Sequence, residues 1–87
     1  MKADQVVTFT NTHAAMKAED IFSFHNKLDF ELIPTPREIS AECGFALLVR
    51  NIDTVFLYNI CQKNNLKIDG IYLIKIINGV KHYEKSY

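Results

Sequence analysis

The order in which hydrophobic periods follow one another along the chain leaves few folds open. Residues 5–10 (Gln-Val-Val-Thr-Phe-Thr) are β-branched and aromatic, the composition of a strand. Asn11 and Thr12 are capping residues in front of a helical stretch, 13–27. Within it Ala14, Ala18, Ile21/Phe22 and His25 recur at three- and four-residue steps, which defines one face. Residues 29–33 (Asp-Phe-Glu-Leu-Ile) alternate polar and apolar, the period of a half-buried strand, and Pro34 and Pro36 end it. Residues 44–50 (Gly-Phe-Ala-Leu-Leu-Val-Arg) read as a more fully buried strand. Asp53 then caps a second helix, 54–64, with Leu57, Tyr58 and Cys61 on one face and Asn64-Asn65 as a left-handed stop. Residues 71–77 (Ile-Tyr-Leu-Ile-Lys-Ile-Ile) form a last strand.

Strand, helix, strand, strand, helix, strand in 87 residues is two βαβ halves, and right-handed crossovers then favour one arrangement. The expected fold class is α+β: a ferredoxin-like βαββαβ sandwich with an antiparallel sheet and two helices on one face. A single domain is expected over 1–77, with 78–87 a polar C-terminal segment that is either a short extension or frayed. The last strand is apolar on both sides, with Ile71, Leu73 and Ile77 on one and Tyr72, Ile74 and Ile76 on the other. The sheet face without helices therefore needs a cover, and a homodimer through that open face is the expectation.

Composition removes several function classes. Ten basic and ten acidic side chains cancel, which disfavours nucleic acid or an anionic membrane as an electrostatic partner. No apolar run approaches the ~18 residues that span a bilayer. The first residues lack the apolar stretch of a signal peptide, so the expectation is a soluble, cytoplasmic domain with reduced thiols. Two cysteines 18 positions apart and three scattered histidines do not form ligand pairs at zinc-site spacing, so no metal is expected. Three glycines form no phosphate-binding loop, and nothing calls for a cofactor.

The segment 33–44 (Ile-Pro-Thr-Pro-Arg-Glu-Ile-Ser-Ala-Glu-Cys-Gly) is longer than the usual hairpin loop of about 2–5 residues. Thr35, Pro36 and Glu38 read as a capping box with proline at the first helical position. That predicts a helical turn over 36–42, with Gly44 near its stop and Cys43 where the turn meets the third strand. Ile33-Pro34-Thr35-Pro36-Arg37-Glu38-Ile39-Ser40 followed by Cys43-Gly44 resembles the signature of a family of small bacterial proteins described as selenium/sulfur carrier protein-like. Thr12-His13-Ala14 with Ala18-Glu19, and Asp69-Gly70-Ile71-Tyr72, fit the same family. The resemblance covers roughly residues 6–74.

The resemblance implies a non-enzymatic carrier in which Cys43 holds sulfur or selenium as a persulfide-type adduct between a protein donor and an acceptor. Such a thiol works as the thiolate, which nearby positive charge favours. In the expected topology the first strand's exit, the first helix's N-terminus and the 33–44 loop share one end of the sheet. Thr12, His13, Arg37 and Cys43 would converge there, with Arg37 as fixed charge and His13 as proton acceptor or charged neighbour. Thr35, Ser40 and Gly44 complete the candidate binding set. A reading of a different class is a dimeric binding or regulatory module, with Cys43 structural. Its anion or protein site would lie between the 33–44 loop and the first helix's N-terminus, with Thr12, His13 and Arg37 as donors. Cys61 and His25 are read as packing residues and His82 as solvated. No second group stands at a defined catalytic spacing, which favours a carrier or binding protein over an enzyme.

Overall fold

A computed structural model of the chain describes residues 1–25 and 27–87. Seven elements follow in the order β1 (Lys2–Phe9), α1 (Thr12–Ser23), β2 (Asp29–Pro34), β3 (Phe45–Asp53), α2 (Thr54–Lys63), β4 (Ile68–Ile77) and β5 (Val80–Lys85). The strands form one sheet in the order β2-β3-β1-β4-β5, and every neighbouring pair is antiparallel. The first four strands and two helices form the expected ferredoxin-like α+β sandwich.

The helices start where the capping residues stand. The Asn11 side chain accepts the Ala14 N–H at 2.8 Å, and Asp53 accepts the Phe56 N–H at 3.1 Å. Asn65, at φ 53°, follows α2 in the left-handed region. Helix α1 buries Ala14, Ala15, Ala18 and Phe22 against the sheet, and α2 buries Leu57, Ile60 and Cys61. Val7, Phe9, Leu47, Val49 and Ile71 meet them from the strands, forming the main core on the helix side. Gln5, fully buried, ties this side together: its amide donates to the Ile52 carbonyl at 2.7 Å and accepts the Thr54 hydroxyl at 2.8 Å. Both polar ends are thus satisfied at the β3–α2 corner.

Four expectations are corrected. Helix α1 ends at Ser23 rather than residue 27; the Ser23 hydroxyl bonds the Asp20 carbonyl at 2.6 Å, and the His25 N–H closes a tighter turn onto Phe22 at 3.0 Å. Residue 26 lies outside the described residues. His25 is therefore exposed beyond the helix, not part of its packed stripe. The helical turn expected over 36–42 is shorter and closes over 36–39, where the Ile39 N–H bonds the Pro36 carbonyl at 3.0 Å. The tail 78–87 is not frayed. Asn78, at φ 52°, and Gly79, at φ 77°, make a two-residue turn, after which Val80–Lys85 pairs along β4 as a fifth strand.

The sheet face away from the helices has a partial cover made by the chain itself. Ile39, from the segment between β2 and β3, joins Val6 and Ala46 in a second buried cluster, with Ala41, Leu48, Tyr72, Ile74 and Tyr83 packed around it. The long loop thus lies across this face. Beyond it, near the β4–β5 turn, Ile76, Ile77 and Val80 stay exposed.

Candidate functional site

Residues 35–44 leave β2, cross the outer face at Ile39 and return to β3 on the helix side at Cys43. Thr35 closes the loop at its base. Its N–H donates to the Gly44 carbonyl at 2.9 Å, and its hydroxyl donates to the Cys43 carbonyl, also at 2.9 Å. A hydroxyl committed to Cys43 does not cap a helix, which is why the local Thr35-Pro36-Arg37-Glu38 signal yields a turn only. On the outer face Glu38 lies near Tyr83 of β5. Burial first, and then the Glu38 charge, push the Tyr83 phenol above its ordinary range.

Cys43 is 3% exposed and belongs to the helix-side core. Its Sγ accepts the Phe45 N–H at 3.4 Å and lies 3.9 Å from the hydroxyl of Thr12, the first residue of α1. Both groups can hydrogen-bond to a thiolate or to the inner sulfur of a persulfide, and the positive end of the α1 dipole lies beside them. Cys61 differs. It is fully buried on α2, and that burial pushes its thiol up to about 12. The two thiols are free.

The structure brings Thr12, Thr35, Cys43 and Gly44 together and, among the described residues, leaves Arg37, Ser40 and His13 without a bond to them. Arg37 and Ser40 are exposed, and among the described residues no hydrogen bond or ion pair joins Arg37 to the cysteine. Gly44 is exposed and contributes its carbonyl to the loop closure. His13 faces a different feature: a cleft of about 390 Å³ lined by Asn11, His13, Ala14, Lys17, Asn65 and Lys67. None of the 33–44 loop lines that cleft, so the anion site expected between loop and helix is not formed there; the stretch after α2 supplies the second wall. Among the described residues no group of three potential metal ligands occurs, and no helix is long and apolar enough to cross a membrane.

Two participants escaped the sequence reading. The Phe45 N–H is a backbone donor and leaves no trace in residue identity. Ile39 does leave one: it is the sole large aliphatic between Pro34 and Phe45, and an isolated apolar residue in a polar loop marks an anchor. Comparisons with curated proteins and with solved structures returned no match. The model of the family described as "Putative Se/S carrier protein-like" matches residues 4–73, from β1 through both helices and the Cys43 loop into β4. A match over that much of an 87-residue chain is decisive, and the chain belongs to this Se/S carrier protein-like family.

Proposed function

We propose that the protein carries a sulfur or selenium atom on Cys43. The observation that supports this most directly is the pair of polar contacts on Sγ, from the Phe45 N–H, which donates to it, and from the Thr12 hydroxyl at the start of α1, which can donate to a thiolate there. The description of the family, Se/S carrier protein-like, supports the same chemistry. In the loading step the Cys43 thiolate attacks the terminal sulfur of a donor persulfide. A new S–S bond forms as the donor's S–S bond breaks, and the donor leaves as a thiolate. In delivery an acceptor nucleophile takes the terminal sulfur and the Cys43 thiolate is regenerated. Cys61, with its thiol held up by burial, takes no part.

Intact-mass measurement after incubation with a persulfide donor tests this. The native chain and Cys61→Ser should each gain the mass of one sulfur atom, reversed by a thiol reductant, and Cys43→Ser should gain none. No adduct on the native chain, or equal adduct on Cys43→Ser, overturns the reading.

A second reading has its own support. Cys43 is nearly closed to solvent, while the cleft at α1 gathers His13, Lys17 and Lys67, a setting for a small anion. In a binding module of this kind, inorganic phosphate should raise the melting temperature of the native chain and of Cys43→Ser alike, and Lys67→Gln should abolish the rise. No phosphate effect removes this alternative.

A further inference from the structure

We propose that residues 35–44 form a strap that shuts Cys43 away and exposes it by local opening, without unfolding the sheet. The proposal rests on the carrier reading for its purpose, since a thiol that is 3% exposed cannot meet a donor persulfide as it stands.

The strap is anchored at three places, the third being Cys43 itself, seated in the helix-side core. At its base, the Thr35 N–H and hydroxyl bind the Gly44 and Cys43 carbonyls. At its middle, Ile39 is 5% exposed and seated with Val6 and Ala46 on the opposite side of the sheet from Cys43. Between these anchors the residues make few commitments: Arg37, Glu38, Ser40 and Glu42 are exposed, and among the described residues the backbone bond from the Ile39 N–H to the Pro36 carbonyl is the one found there besides the Thr35 closure. A segment of this kind, with two buried feet, Ile39 and Cys43, and few hydrogen bonds, opens at lower cost than the sheet beneath it. Releasing Ile39, the Thr35 bonds and the contacts of Cys43 Sγ with the Phe45 N–H and the Thr12 hydroxyl frees the stretch up to Phe45, where β3 pairing with β2 begins. Cys43, two residues before that strand, leaves the core with the strap, while the strands and both helices keep their packing.

The second cysteine makes the idea measurable. Cys61 lies deep in α2 and reports the unfolding of the whole core, so the two thiols of one molecule time two different openings. The experiment is alkylation of the native chain by iodoacetamide, read site by site by mass spectrometry, in water and in sub-denaturing urea. Cys43 is expected to react at least about tenfold faster than Cys61. Its rate should hardly change with urea, because strap opening exposes little surface, whereas the Cys61 rate should climb. Ile39→Ala should raise the Cys43 rate about tenfold or more, since the anchor is lost. Thr35→Val, which keeps the shape and loses only the hydroxyl, should give a smaller rise. Equal rates with equal urea dependence at both cysteines overturn the strap, because Cys43 would then be reached only through global unfolding. An unchanged Cys43 rate in both variants overturns it as well, because the thiol would be reached without opening. The reagent needs no sulfur donor, so a chain that opens yet forms no adduct keeps the strap and removes the carrier reading.

Discussion

Asp53 shows how much one residue can organise in a chain this small. One carboxylate oxygen accepts the Phe56 N–H and caps α2; the other accepts the Met1 ammonium, both at 3.1 Å. The Phe56 bond, followed by the bond to the chain's amino group, holds the carboxyl below its ordinary 3.8. A carboxyl lowered by folding stabilises the native state above its unfolded value and loses that contribution as pH falls through the folded value. Asp53→Ala should therefore melt below the native chain at neutral pH, and the gap should narrow below about pH 4 as the native carboxyl takes up its proton. Thermal melts of both chains at neutral and acid pH measure this. A gap that persists in acid would show that packing, not charge, accounts for the loss. The two cysteines make the same point about chemistry. One lies beside a backbone N–H donor and a hydroxyl under a ten-residue strap, the other in an apolar core that pushes its thiol up to about 12.

Elements were legible in the sequence where local preference and tertiary packing agree, and illegible where packing overrides. The Asn11 and Asp53 caps follow from capping chemistry, and Ala14, Ala18, Phe22, Leu57 and Cys61 of the buried helix faces follow from the period; Ala15, Ile60 and the fifth strand do not. Strand β3 was longer than it reads, because Arg50-Asn51 looks like a strand end. Asn51 instead adopts φ 50° in a bulge, its N–H bonded to Asp4 at 2.9 Å, and pairing resumes at Ile52. Arg50 keeps its place on the sheet by ion pairs to Asp29 and Glu31 of β2, whose positions only the pairing register reveals. The loop between β2 and β3 shows the opposite conflict. Thr35, Pro36 and Glu38 carry a strong local signal for a helix start, but Ile39 needs burial and the nearest apolar surface is the bare sheet face. Cys43 was legible as the distinctive residue of that loop; its burial was not, because burial depends on where the loop returns.

At the scale of the whole molecule, the last ten residues matter to the fold although the family match ends before them. Strand β5 pairs along β4, and the chain then turns inward. Ser86 and Tyr87 bond the backbone of Ile71, and the Tyr87 ring stacks on Tyr58 of α2 at 4.0 Å. This return is possible because residue 70 is glycine: a Cβ there would stand 2.9 Å from the Tyr87 carbonyl oxygen, 3.0 Å from Tyr72 and 3.1 Å from Lys85. The oxygen is backbone and cannot swing aside, whereas the Tyr72 and Lys85 atoms are side-chain ends. Ending the chain at Ile77 removes the ring stack and several hydrogen bonds, so it should cost about 2–4 kcal/mol in a urea titration. Gly70→Ala should cost the full chain about 1–3 kcal/mol, the range for forcing an extra methyl into a packed place. In the shortened chain, with Tyr87 and Lys85 gone, the same change should cost close to nothing, since only the movable Tyr72 ring remains. The two changes are thus expected to be strongly non-additive, which a double-mutant cycle reads directly. An equal Gly70→Ala cost in both chains would mean that the glycine serves β4 itself, and that the tail rests on the sheet without being fitted to it.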